Sequence, residues 1–435
     1  MNTFSRFKKT LKTLSIITFL VGFTTTFAQD KLKKMPGYER YSEIAPKIRG
    51  SVTMVPRSYS WSDDSKSFEY NIAGKRLKYD VNTGKTVEVE DVVENNNRRF
   101  FGNRPQRGRQ YPSADSPDGK LKAFTKERNM YISNPDGSNV MAITTDGNEE
   151  TQKKYGIATW VYGEELGQIT AMWWSPDSKK IAFYRFEEKD AQMYYVLYDQ
   201  VKIQDSVEIE AYPKVGADNL PVDVMVYDLE TKKTTLLDTR DGKPFNDGAL
   251  GTYLYGMDWT PDGKEFLFHT TNRKQDIMEY KAADPNTGKT RTIVREEWLP
   301  SFTVNTPEIH VLEDGKHFIW ASERTGFNNY YLYNWDGTLV NAITNHNFEV
   351  SRILKVDEKN KYLYYEARSG DNHMKMQLHR VNFDGTKDVR LTDPTYNHSV
   401  TISPDGKYFS SARKTLTPIL SRVPTIESNS EATLL

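Results

Sequence analysis

"WSPDSKKIAF" (Trp174–Phe183) is a tight turn feeding an apolar strand. Pro presets φ, the Asp side chain caps its own turn, and the following position, Gly in most copies, takes φ > 0 before the strand begins. The same text recurs along the chain. It appears as "WSDDSKSFEY" around Asp64, "DSPDGKLKAF" around Asp118, "WTPDGKEFLF" around Asp262, "LEDGKHFIW" around Asp314, "VDEKNKYLYY" with Lys359 at the Asp position, and "ISPDGKYFS" around Asp405. A second turn signal follows most copies: "ISNPDGS", "VYDLETKK", "YLYNWDGT", "RVNFDGTK". Each unit therefore holds two hairpins, and a repeat of ~45 residues with two hairpins is the signature of a β-propeller blade. Residues 50–412 provide room for about eight blades of ~45 residues. Seven copies are visible, so the eighth is degenerate or lies in the long gap between Asp177 and Asp262. The fold class is all-β, with no helical period anywhere beyond residue 28.

Composition narrows the class further. The 435 residues carry 59 Lys+Arg and 59 Asp+Glu, a formal net charge of zero. That balance gives no reason to expect nucleic acid or an anionic membrane as partner. Lys8, Lys9 and Lys12 precede the apolar "LSIITFLVGFTTTFA" (Leu14–Ala28). This basic region, short apolar run and small-residue site predict a secretory signal peptide over residues 1–28 and no membrane attachment after its cleavage. There is no Cys, hence no disulfide framework and no lipoprotein anchor. Export of a Cys-free chain points to a bacterial periplasm. A lead-in segment over 29–49, a propeller over 50–412 and an irregular tail over 413–435 complete the division.

Catalytic motifs are missing from the text. There is no G-x-S-x-G, no H-E-x-x-H and no Walker or Rossmann glycine pattern. No catalytic residue, cofactor or metal site is predicted. The seven His are scattered (269, 310, 317, 346, 373, 379, 398) and are assigned to packing or surface. "NNNRRFFGNRPQRGRQ" (Asn95–Gln110) carries five Arg and reads as a mobile insertion between strands.

"WVYGEELG" (Trp160–Gly167) is the exception to the repeat. "GEELG" (Gly163–Gly167) is long enough for one helical turn, with Gly167 as a left-handed cap. Trp160 and Tyr162 form an aromatic shell at its base. Glu164 and Glu165, held side by side, repel each other, and a cation relieves that repulsion. Such a site suits one ammonium group.

"WVYGEELG" followed by "AMWWSPDSKKIAFYRF" and "AYPKVGADNLPV" (Ala211–Val222) closely resembles the propeller of dipeptidyl peptidase IV, in the prolyl oligopeptidase class of serine peptidases. "HTTNRKQDIMEYKAADPNTGKTRTIVREE" (His269–Glu297) and "NHNFEVSRILKVDEKNKYLYYEA" (Asn345–Ala367) extend the resemblance, which covers roughly residues 35–410. The resemblance implies an eight-bladed propeller over an α/β-hydrolase domain that holds a Ser-Asp-His triad. Two glutamates of a short propeller helix bind the substrate's amino terminus, and these fall on Glu164 and Glu165. Clamping that terminus at a fixed distance from the nucleophile limits release to two residues, typically with Pro or Ala second, the second residue being selected by a pocket of the hydrolase domain. An extended arm in this region helps form a homodimer, and its place here is expected within Leu220–Tyr255. A propeller arginine touches the substrate backbone, with Arg76 the nearest candidate in "NIAGKRLKYDVNTGK" (Asn71–Lys85). Two departures stand out. Gly163 precedes the pair where close relatives carry a third acid. The triad and the hydrolase domain are missing from these 435 residues, which suggests a truncated, frame-shifted or fragmentary product, inactive alone. The competing reading is a stand-alone periplasmic propeller that binds peptides or proteins as an adaptor.

Overall fold

The computed structural model describes residues 32–51, 59–72, 74–90, 105–198, 203–298, 301, 303, 306–412 and 419–422. The expected signal peptide and most of the expected tail lie outside these residues, as does 95–104 of the Arg-rich stretch.

Each turn motif opens a small antiparallel sheet. Ser116 Oγ donates to Asp118 Oδ1 at 2.7 Å, the backbone N–H of Lys120 donates to the same oxygen at 3.1 Å, and Leu121 N–H donates back to Ser116 Oγ at 2.9 Å. The arrangement repeats at Asp64, Asp177, Asp262 and Asp405. Seven sheets follow in chain order, spanning 60–88, 113–142, 153–236, 253–297, 309–342, 350–390 and 399–422. We number them first to seventh. The third carries an extra strand, Lys153–Tyr155, and the seventh has three strands.

Neighbouring sheets pack face to face and share apolar cores, such as Phe318, Trp320 and Tyr280 between the fourth and fifth. The Trp of the turn motif has a specific task. The indole N–H of Trp174 donates to Ala114 O of the second sheet at 3.0 Å, and that of Trp259 donates to Trp173 O of the third at 3.1 Å. Trp61 of the first sheet makes the same bond to Thr401 O of the seventh, at 3.3 Å. Two turns that carry Ser at the Gly position add a latch. Ser178 and Ser65, at φ +60° and +59°, accept the backbone N–H of Asp118 and Asp405 at 3.1 and 3.0 Å. The first sheet thus sits on the seventh as the third sits on the second.

Three expectations change. Seven blade sheets, not eight, are formed by the described residues. The gap between Asp177 and Asp262 holds a hairpin, Met193–Tyr198 paired with Ser206–Ala211, which stands outside the third sheet. That hairpin, and not Leu220–Tyr255, is the projecting element. Val222–Asp228 pairs along its whole length with Lys180–Phe186 and carries alternate buried residues, as an inner blade strand must. Second, a helix α1 (Tyr38–Ser51) occupies the lead-in. It has Pro46 inside and is largely exposed, so no apolar stripe announced it; a Glu43–Lys47 pair at 2.8 Å supports it. Third, Ile419–Arg422 in the expected tail pairs with Tyr408–Ala412 as a strand although no turn motif precedes it. Among the described residues no helix is long and apolar enough to cross a membrane.

Candidate functional site

The Glu pair sits on helix α2, Trp160–Glu164, with Glu165 as its C-cap residue and Gly167 at φ +64°. The helix starts earlier than "GEELG", because Thr159 closes its first turn: Thr159 O accepts the N–H of Tyr162 at 3.1 Å. Tyr162 anchors it. The ring is 3% exposed, meets Tyr184 and Phe186 edge-on, and its hydroxyl accepts the N–H of Leu254 in the fourth sheet at 3.2 Å. Leu166 is buried beside it. The helix is pinned into the seam between two sheets, and its last turn faces out.

The Arg-rich stretch supplies what the sequence reading missed. Its described part, 105–110, is packed on α2. Gln110 bridges both ends of the helix region: its Oε1 accepts Ala158 N–H at 3.2 Å and its Nε2 donates to Gln168 O at 3.2 Å. Gly108, at φ +71°, lies against the Trp160 ring, and Gly163 lies against Gly108; a Cβ on either would clash. Gly163 is therefore the contact that lets this segment lie on the helix. Arg107 Nε donates to Glu164 Oε1 at 2.6 Å, with Nη2 on the same oxygen. Arg109 stacks over Trp160 at 5.1 Å and pairs with Glu208 and Glu210 of the projecting hairpin. Tyr198 donates to Glu208 Oε2 at 2.7 Å.

The two glutamates are thus unequal. The Arg107 hydrogen bond holds the Glu164 carboxyl below its ordinary range. Glu165 is exposed, and among the described residues no ion pair reaches it. Glu164, Glu165 and Arg107 sum to one net negative charge, the complement of one ammonium. Arg76 is elsewhere, in the first sheet, with its Nε on Glu69 Oε2 at 2.9 Å. The five closely spaced Arg of 98–109 were the available signal for Arg107 and Arg109.

Two of the seven His also meet. His346 and His379 both face Asp388 in the sixth sheet.

Residues 57–418 match the family model of the dipeptidyl peptidase IV (DPP IV) N-terminal region. The chain belongs to this family. Among curated relatives, a probable dipeptidyl-aminopeptidase B of Pyrenophora teres is 28% identical over 381 residues, covering 80% of this chain and 39% of that protein. Its counterpart in Pyrenophora tritici-repentis is 34% identical over 199 residues, covering 42% of this chain and 22% of that one. The structure resembles dipeptidyl peptidase 4 of Porphyromonas gingivalis with a TM-score of 0.57 at 21% identity, over 83% of this chain and 50% of that one. A putative dipeptidyl aminopeptidase IV from Bacteroides ovatus gives 0.53 at 22%, over 82% and 49%. The chain spans less than half the length of these curated relatives and about half of the two solved chains. As a DPP IV N-terminal region it has the propeller-type fold of its solved neighbours.

Proposed function

We propose that this propeller is the substrate-gating part of an exported dipeptidyl peptidase, and that Glu164 and Glu165 bind the free α-ammonium of the peptide. The observation that carries the reading is the unequal pair. Arg107 neutralises and orients Glu164, while Glu165 stands exposed at the cap of a helix fixed by Tyr162. A charge-assisted bond to an ammonium then requires no unpaired carboxylate to be created or buried. A hydrolase domain of the family would cut at a fixed distance from that clamp and release X-Pro or X-Ala dipeptides. Arg107, already at the pair, takes the place of Arg76 as candidate for the arginine on the substrate backbone.

The hairpin 193–211 is our candidate for the homodimer arm. Tyr195, Leu197, Val207 and Ile209 are 57–66% exposed on it, an apolar surface that contact with another copy would cover.

Peptide binding to the chain itself tests the clamp. Saturation-transfer NMR should detect an Ala-Pro peptide with a free amino terminus and not its acetylated form, and Glu165→Gln should abolish the difference. Equal signals from both peptides would favour an adaptor surface.

A further inference from the structure

We propose that His346, His379 and Asp388 bind a divalent transition-metal ion that ties the fifth sheet's exit loop to the sixth sheet. His379 lies on Gln377–Asn382, Asp388 immediately precedes Val389–Arg390, and His346 lies in the loop that leaves the fifth sheet. His346 Nε2 is 2.8 Å from Asp388 Oδ2, His379 Nδ1 is 3.1 Å from Asp388 Oδ1, and the three ligand atoms lie within 4.8 Å of one another. Ligands at ~2.0–2.2 Å from a tetrahedral zinc stand about 3.4 Å apart. Shifts of well under an ångström would centre an ion among them. Two imidazoles and one carboxylate suit zinc, nickel or iron(II), not the hard cations that prefer oxygen alone.

The surroundings already orient the ligands. His379 Nε2 meets Ser369 Oγ at 2.7 Å, so the ring can donate its Nε2 proton there and turn the Nδ1 lone pair inward. Tyr365 stands directly opposite His379 in the strand register, and its hydroxyl donates to Asp388 Oδ2 at 2.6 Å. The His346 ring stacks on Phe348 at 4.2 Å. The His346 backbone is held at both ends by buried Asn329: its N–H donates to Oδ1 at 2.9 Å and its carbonyl accepts from Nδ2 at 3.1 Å. The His379 side chain is 7% exposed, while His346 and Asp388 are 21% and 22% exposed. An ion would approach past the partly exposed His346 and Asp388, where the Tyr365 hydroxyl, 2.9 Å from His346 Nε2, would have to yield that nitrogen. A plain hydrogen-bonded triad would use the same residues and retain no zinc.

Untagged chain, stripped with EDTA, loaded with ZnCl2 and desalted, is assayed for metal by mass spectrometry. We expect about one zinc retained per chain and a thermal midpoint that rises with zinc. His379→Ala and His346→Gln should each lose both, and Ser369→Ala should weaken zinc binding roughly 10- to 100-fold. Cobalt(II) in wild-type protein should give the visible absorption of a four- or five-coordinate site, a readout that needs no variant to fold. Wild-type protein without retained zinc and without the cobalt spectrum overturns the proposal. So does equal zinc retention in folded His346→Gln.

Discussion

Arg107 and Glu164 are an unbalanced ion pair: the arginine side chain is 81% exposed and the glutamate only 20%. The arginine covers the carboxylate from the solvent side and leaves the next residue, Glu165, as the exposed acid of the pair. Which glutamate is occupied in the resting protein is thereby fixed by a segment 57 residues upstream.

In a version joined to a hydrolase domain of the family, Glu164→Gln and Glu165→Gln should each lower kcat/KM. A charge-assisted bond of about 1.5–3 kcal/mol corresponds to roughly 10- to 150-fold. Acetylating the substrate should cost as much in wild type and little in the double variant. Glu187→Gln is the charge control. The adjacent Glu188 is not, because its side chain is 6% exposed and paired with Arg128 and Lys154 at 2.6 and 2.5 Å. Glu188→Gln should lower stability without selecting between free and acetylated substrates. Wild-type rates from Glu164→Gln and Glu165→Gln on both substrates would remove the clamp.

Gly163→Ala should separate the 105–110 segment from α2. The new Cβ meets the Gly108 backbone, which has no flexible end to swing away. A loss of about 1–3 kcal/mol in urea unfolding is expected, as for other overpacked contacts. Arg107 should then no longer protect Glu164, which carboxyl titration by NMR would record as a rise in the Glu164 pKa. An unchanged titration with unchanged stability would show that the segment does not rest on the helix.

His269 should make the fold acid-sensitive. Its ring stacks on Tyr255 and meets the tilted ring of Tyr280, and burial pushes its pKa down from 6.5 to about 4. Between those values the unfolded chain takes up a proton that the folded chain refuses, so stability falls as pH falls from 6.5 to 4. The full interval is worth about 3 kcal/mol. His269→Phe, which keeps the stack, should lose that much less between pH 7 and 4. Parallel pH profiles would place the proton elsewhere.

Leu197→Glu and Ile209→Glu put charge on the exposed hairpin. If the hairpin carries self-association, both variants should sediment as monomers at concentrations where wild type does not. Wild type that is monomeric throughout, also with a hydrolase domain attached, would leave the arm without that task.

The chain without its first 28 residues should not hydrolyse Gly-Pro or Ala-Pro chromogenic substrates. No nucleophile elbow is present in the sequence, and positioned attack and an oxyanion hole are what accelerate acyl transfer. Serine-inhibitor-sensitive turnover by a homogeneous sample would contradict this.

Five of the seven blades were legible because their first turn has the same local chemistry, a Ser or Thr and an Asp closing it. The turns of the fifth and sixth keep only an Asp that caps backbone N–H groups. The Glu pair was legible because it interrupts that repeat. Arg107 and Arg109 were not, since their partners Glu164, Glu208 and Glu210 are 57 to 101 residues away. Among the described residues the long gap after Asp177 adds no eighth blade, because a hairpin between two blade strands lengthens the repeat as an extra blade would. The His346–His379–Asp388 meeting depends on strand register, which scattered histidines do not reveal.

Ser65 and Asp405, 340 positions apart, touch in the finished fold. The apolar cluster of the first sheet also includes Tyr408. At ~5–20 residues per second, a ribosome needs roughly 17–70 s to travel from one to the other. Sheets two to six can stack in the order they emerge, each on its predecessor. The first sheet waits through that interval with Phe68 and Tyr70 lacking their late-made cover. The earliest-made sheet is thus the last to be locked, and in the exported protein proposed above that delay would keep the nascent chain open while it is handed on.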